Sequence, residues 1–419
     1  MNGVLYDIGP RNAGWQSSTH VLGYPSPLPV GHHHDRRIPI QSSTPRAPEP
    51  RLALRELVAR APARIDFGGG WTDVPPYTTE RGGCVCNLAI ARHATVRLRS
   101  RDSGVVVDDG TALHSAASAA ELVLAGESGL AGLALERAGI GAISLELRSD
   151  FPRGAGLGGS SAAGVALQAA LAAWRGQSLE PAALAELSRA TEVEGLRVAG
   201  GSQDHYAAAF GGALGLRFSE SVAVRRLALA PAVRQAIEER CTVVFTGKSR
   251  LSGETISGVM DAYRARDPRV TSALDRMRDL AIQMIEALDR GDLDDLAALV
   301  DEHWQHQRSL HPRITTPAIE RVLAVARAAG ALGGKALGAS GGGSVLVIAP
   351  AERAAEVRDA VSATGEVLEF HVDEQGARTT GGRVQGSGGW NYELQRDQEA
   401  GIRDQELPWD GDPDPEGSF

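Results

Sequence analysis

The chain has 419 residues, 42% of them hydrophobic and 23% charged, a globular composition long enough for two domains. Its formal net charge of -9 argues against a nucleic-acid surface, which needs clustered Lys and Arg. No apolar run reaches the ~18 residues of a membrane span, and the N-terminus lacks the charged-then-apolar pattern of an export signal.

Residues 1–52 are dominated by proline, serine and glycine and are expected to be a disordered extension. The run His32, His33, His34 makes no metal site without a second fixed ligand group. The core begins near Glu56: "ELVARAPARIDF" alternates as a strand and "GGG" breaks it. "GCVCNLAI" and "ATVRLRSRD" read as two further strands, with Cys84 and Cys86 on one face. With Cys241 they make three cysteines and no disulfide framework, so a reducing cytoplasm is expected. "GAISLELRSDF" (141–151) is a strand leading into a glycine loop, and "SAAGVALQAALAAWRG" is a helix stopped by Gly176. A helix is predicted from Pro181 to Leu196 and a strand at "CTVVFTG" (241–247). Amphipathic helices cover "VTSALDRMRDLAIQMIEALDRGDLDDLAALVDEHWQHQRSL" and "IERVLAVARAAG". "GALGASGGGSVLVIAP" is a glycine turn feeding a strand, followed by a helix at "ERAAEVRDAVSA" and a strand at "GEVLEFHVDEQG". Residues 381–419 are expected to be a disordered acidic tail.

Three glycine loops carry the chemistry. In "PRGAGLGGSSAAG" the glycines lie between a strand and a helix N-terminus, where backbone N–H groups and the helix dipole favour an anion. The loop 154–161 therefore reads as a phosphate cradle: Gly154, Ala155, Gly156, Leu157, Gly158, Gly159, Ser160 and Ser161. Its G-x-G-x-x-G spacing suits a dinucleotide, but no strand ending in an acidic residue follows ~20 residues on. No P-loop lysine is present either. A serine at the end of the loop suits a Mg²⁺ ligand or a phosphate donor. In "RIDFGGGWTDVPPY" the glycines open into Trp71, Thr72 and Asp73, either a sugar-binding cluster or a turn capped by Thr72 or Asp73 on its own backbone. In "GALGASGGGSVLV" the glycines, Gly341 and Gly342 among them, exceed what a turn requires and suggest a backbone approaching a ligand.

Together and in this order, the three segments resemble the motifs of the GHMP kinases. Pro62, Arg64 and Asp73 match the first motif; "PRGAGLGGSSAA" matches the P-x-x-x-G-L-G-[ST]-S pattern of the second; "GALGASGGGSVLV" matches the third. The resemblance covers about residues 56–380. Gly159 departs from it where many relatives carry Ser or Thr, and Ser340 where glycine or alanine is usual. "GGSQDHYAAAFGG" is similar to the G-x-Q-D-Q segment of heptose phosphate kinases and fucokinases.

The resemblance implies an α+β, two-lobed GHMP kinase fold: a ribosomal-protein-S5-domain-2-like ATP-binding lobe over 53–235 and a ferredoxin-like lobe over 236–380. It implies a kinase using ATP and Mg²⁺ on the anomeric hydroxyl of a sugar, D-glycero-D-manno-heptose 7-phosphate before L-fucose. A sensor that binds ATP and sugar without catalysis is the rival reading. Asp204 would accept the proton, with Arg64 orienting it, and Ser160 and Glu194 would hold Mg²⁺, with Glu192 as the alternative to Glu194. Trp71, Thr72 and Asp73 would contact the sugar, and Lys248, Arg250 or Arg308 a substrate phosphate. Neither nucleic acid nor membrane is an expected partner, and a homodimer is the candidate assembly. His303 and His306 form H-x-x-H without a third ligand and read as ordinary helix-face residues.

Overall fold

A computed structural model describes residues 56–381, apart from 127–128, 197–199 and 248–252. The expectations for the terminal segments, for His32, His33 and His34, and for Lys248 and Arg250 lie outside the described residues.

Two sheets organise the chain. The larger has eight strands: β1 (Glu56–Gly68), β2 (Gly83–Ser100), β3 (Val105–Asp108), β4 (Leu113–Ala116), β5 (Ile143–Ser149), β6 (Ala213–Phe218), β7 (Val222–Leu227) and β12 (Arg378–Thr380). The smaller has four: β8 (Cys241–Phe245), β9 (Gly333–Ala336), β10 (Ser344–Ile348) and β11 (Glu366–Val367), in the order β11-β8-β10-β9. The two strands read from "GCVCNLAI" and "ATVRLRSRD" are one, β2; its first half pairs with β6 and its second with β5, while β1 runs along its other side. The β1–β2 register slips between Pro62 and Ala63 and again between Asp66 and Gly68. Between those points Arg64, Ile65 and Asp66 pair regularly with Ala89, Leu88 and Asn87. β12 returns from the far end of the chain to pair with the start of β1.

The helices are α1 (Tyr77–Arg81), α2 (Ala119–Ala125), α3 (Gly129–Ala138), α4 (Gly159–Trp174), α5 (Pro181–Arg189), α6 (Gln203–Phe210), α7 (Pro231–Arg240), α8 (Gly253–Arg264), α9 (Pro268–Arg290), α10 (Leu293–Ser309), α11 (Pro317–Ala328) and α12 (Ala354–Ser362). Alanine-rich α4 is buried along most of its length against β1 and β2, as its small side chains permit. The helix expected to run to Leu196 ends at Arg189 and continues as a π turn, Ala190–Gly195. "GEVLEFHVDEQG" supplies only the two-residue β11 as strand. Trp71, Val74 and Tyr77, which follow β1, pack into an apolar cluster with Tyr263, Met277 and Trp304 from α8, α9 and α10. Cys84, Cys86 and Cys241 are free and buried. Among the described residues no helix is long and apolar enough to cross a membrane.

Candidate active site

All three glycine loops are built by backbone demand. Gly154, Gly156 and Gly158 have φ of 69, 75 and 71°, a region side chains disfavour. A Cβ on Gly156 would lie 2.7 Å from the Leu337 carbonyl oxygen, and one on Gly343 would lie 3.0 Å from that of Ala155. Ser344 N–H donates to the Ala155 carbonyl at 2.8 Å. The third loop therefore lies backbone to backbone against the second. Gly341 and Gly342 do not line the cavity; Gly341 N–H donates to the Ile314 carbonyl at 2.8 Å, and Gly338 and Ala339 face the cavity instead. Gly341 and Gly342, expected as substrate contacts, are buried outside that lining. Ser340 takes a left-handed φ of 65°, and its Oγ accepts from Gln307 Nε2 at 3.0 Å. That hydrogen bond holds a residue where glycine would be conformationally easier.

Gly158 precedes α4 with no side-chain cap, leaving the first N–H groups of the helix for an anion. A Cβ on Gly159 would sit 2.6 Å from Phe151 Cε2, so this ring, not the loop's dihedrals, explains glycine at the place of Ser or Thr. The loop borders a cavity of about 840 Å³ that also exposes Arg64, Asp66, Trp71, Asp73, Glu192, Gln203 and Asp204, within the size range of small-molecule sites.

Arg64, on β1, grips Asp204, in the first turn of α6, with two nearly parallel bonds: Nε to Oδ1 at 2.7 Å and Nη2 to Oδ2 at 2.9 Å. Its Nη1 donates to the Gly156 carbonyl at 2.7 Å, tying the carboxylate to the glycine loop. A Cβ on Gly158 would touch the Asp204 carboxyl at 3.1 Å. Carboxylate, guanidinium and loop thus form one contiguous unit.

Asp73 is buried, and its Oδ2 accepts from the backbone N–H groups of Ser202 at 2.8 Å and Gln203 at 2.9 Å. Burial pushes its carboxyl up to about 6; the hydrogen bond from Gln203 opposes the shift, and the negative charges of Asp204 and Asp66 add to it. Trp71 lines the cavity in a left-handed conformation (φ 86°) with its indole N–H unpartnered, and Gln203 Oε1 is likewise buried without a partner. Thr72 does not face the cavity. Its hydroxyl donates to the Gly69 carbonyl and accepts from Cys84 N–H, the bonding that the capped-turn reading expects.

Of the two carboxylates expected as metal ligands, Glu192 lies beside Ser160 and Glu194 does not. The Ser160 hydroxyl donates to Glu192 Oε1, and Ser161 donates to Oε2 at 3.3 Å. The Glu192 side chain is 15% exposed; that of Glu194 is 59% exposed and pairs with Arg189 at 3.2 Å. The π turn rotates Glu192 toward α4 and sends Glu194 outward. Ser160, Ser161 and Glu192 offer hard oxygen donors, which fits Mg²⁺ completed by nucleotide phosphates. Among the described residues no group of three His, Cys, Asp or Glu could hold a metal unaided. Behind this set lies His205, with Nδ1 2.9 Å from Ser188 Oγ and Nε2 3.3 Å from Ser161 Oγ. Burial lowers its pKa to about 3, so it is neutral.

Other residues lie elsewhere. Arg308 pairs with Glu320 at 3.4 Å on the surface. His303 is fully buried and accepts from Gly69 N–H through Nε2 at 2.9 Å, while His306 is half-buried beside Glu302. The reading of the sequence passed over a buried ion pair, Lys335 Nζ to Asp66 Oδ2 at 3.0 Å, and over His205.

Comparison with known proteins agrees with this geometry. Residues 116–212 match the GHMP kinase N-terminal domain and 284–367 the GHMP kinase C-terminal domain. The chain is 26% identical over 342 residues to a D-glycero-alpha-D-manno-heptose 7-phosphate kinase of Campylobacter jejuni, covering 78% of this chain and 99% of that protein. It is 28% identical over 350 residues to a bifunctional fucokinase/GDP-fucose pyrophosphorylase of Arabidopsis thaliana, covering 77% of this chain but 32% of that protein. A crystal structure of a D-glycero-D-manno-heptose 1-phosphate kinase from Bacteroides thetaiotaomicron shares the fold at TM-score 0.65 and 24% identity, covering 79% of this chain and 100% of that one. The chain thus carries the N-terminal and C-terminal domains of the GHMP kinases in order, with its glycine loops gathered on one cavity.

Proposed function

We propose that this sugar kinase transfers phosphate from ATP to the anomeric hydroxyl of D-glycero-D-manno-heptose 7-phosphate, giving the 1,7-bisphosphate. The observation that carries the phosphoryl-transfer reading is the Arg64–Asp204 pair, bound to the glycine loop through Gly156. The heptose reading draws on the relative whose length the chain spans almost entirely. L-fucose is the second reading, because a fucokinase segment matches a similar share of the chain.

Ser160 and Glu192 would hold Mg²⁺, which would neutralise charge on the phosphoryl group that ATP would supply. The N–H groups at the start of α4 take phosphate oxygens where no P-loop lysine exists. Asp204 accepts the hydroxyl proton through a lone pair that its bonds to Arg64 leave free. Arg64 fixes that carboxylate relative to the loop and places positive charge where negative charge develops. Asp73 and the unpartnered Trp71 indole N–H and Gln203 Oε1 offer partners to sugar hydroxyls. The catalytically silent sensor is disfavoured, since Asp204 and Arg64 are both in place.

The test is ADP release over a panel holding D-glycero-D-manno-heptose 7-phosphate, L-fucose and other sugars and sugar phosphates. Turnover is expected with the heptose phosphate, and Asp204→Asn should lower it at least about a thousandfold while nucleotide binding persists. Equal turnover of L-fucose would overturn the substrate assignment, and an active Asp204→Asn the catalytic one.

A further inference from the structure

Lys335 is fully buried on β9, in the smaller sheet, with its ammonium 3.0 Å from Asp66 Oδ2. Asp66 is buried on β1, in the larger sheet, and its Oδ1 has no hydrogen-bond partner. Arg64 lies two residues before Asp66 on the same strand, with no bulge between them. Both side chains therefore leave one face, roughly 7 Å apart at their origins. Both line the cavity. The charges alternate along this face: Asp204, Arg64, Asp66, Lys335.

A buried carboxylate requires a cation or a full set of hydrogen bonds. Asp66 has one oxygen on Lys335 and the other unpartnered. Arg64, meanwhile, spends all three nitrogens on Asp204 and the Gly156 carbonyl. Without Lys335, Asp66 would be a buried anion beside the arginine that orients the base. Lys335 is itself affected by Arg64, whose charge adds to burial in lowering its pKa.

We infer that Lys335 is a positioning residue: by holding Asp66 it leaves Arg64 committed to Asp204 and the glycine loop. It acts from the smaller sheet on Arg64 in the larger one, and it lies three residues before Gly338, where the third glycine loop meets the second. The inference rests on the reading of Asp204 as the base.

The test compares Lys335→Met, Asp66→Asn and the double variant with wild type, by steady-state kinetics on the sugar that the panel identifies and by crystal structures. Lys335→Met is expected to lower kcat about a hundredfold with the KM for ATP within about threefold, and to turn the Arg64 guanidinium toward Asp66. Asp66→Asn removes the competing anion and should cost less than about tenfold. The double variant should recover to within about tenfold of wild type, and the asymmetry of the two single variants with the turn of Arg64 marks positioning, since a merely structural ion pair would cost about the same whichever partner is lost and leave Arg64 in place. Equal losses in the two single variants, no recovery in the double, or Arg64 unmoved in Lys335→Met would overturn the inference. If Lys335→Met does not fold, a hundredfold loss in a folded double variant would overturn it and recovery would support it. An active Asp204→Asn, by contrast, would remove the base itself and leave the ion pair without a catalytic partner to position.

Discussion

Asp73 carries a charge that the folded protein holds at a cost, and Asp73→Asn should expose that cost. Burial moves its carboxyl from the ordinary 3.8 to about 6. At about 1.4 kcal/mol per tenfold, that displacement corresponds to about 3 kcal/mol. The sign follows from proton binding. Below about pH 4 the residue is protonated in both folded and unfolded chains and the charge costs nothing. Between about pH 4 and about pH 6 the folded state binds more protons than the unfolded, so this residue's contribution to stability falls as pH rises. Above that range the full cost is present. Asparagine keeps an oxygen for the N–H groups of Ser202 and Gln203 and removes the charge. The variant should match wild type near pH 4 and exceed it by up to about 3 kcal/mol near pH 8. Urea unfolding of both proteins across that range measures the difference and cancels every other titrating group. Parallel stability curves, or a variant less stable near pH 8, would refute the argument. The gain in stability should come with at least a tenfold rise in KM for the sugar, as expected of a costly charge kept for binding.

Glu192→Gln should lower kcat about a hundredfold and raise the half-saturating Mg²⁺ concentration at least about tenfold, whereas Glu194→Gln should change neither by more than about twofold; a Mg²⁺ titration of both decides. Gly159→Ser must displace the Phe151 ring and should destabilise the protein by about 1–2 kcal/mol in urea unfolding. Adding Phe151→Leu should recover most of that loss, and a stable single variant would show that the ring yields freely.

The glycine loops were legible because positive φ and close backbone approach leave so few residue choices. Gly154, Gly156 and Gly158 carry that constraint in the chain itself. The resemblance put Glu194 before Glu192 with no local signal to separate them, and a helix was expected through residue 196. The π turn breaks that helical period, and a single sequence gives no sign of the extra residue. Thr72 carried two readings that chemistry alone left even, and its bond to the Gly69 carbonyl is the one that a capped turn expects. Lys335 had a faint signal: apart from Lys248 it is the chain's only lysine, set in the apolar run "GGKALG". Its partner lies 269 residues away, beyond any local pattern. The hairpin β3–β4 and helices α2 and α3 escaped because they are short and only half-buried, so periodicity is weak.

The pairing of β12 with β1 brings the two ends of the described residues together. Val58 sits opposite Thr380, and a Cβ on Gly381 would lie 3.2 Å from the Glu56 carbonyl oxygen. The described body therefore begins and ends at one point on the rim of its larger sheet. The first and last described residues are thus held together by backbone pairing rather than by side chains. The strand that bears Arg64 is the one to which both are tethered.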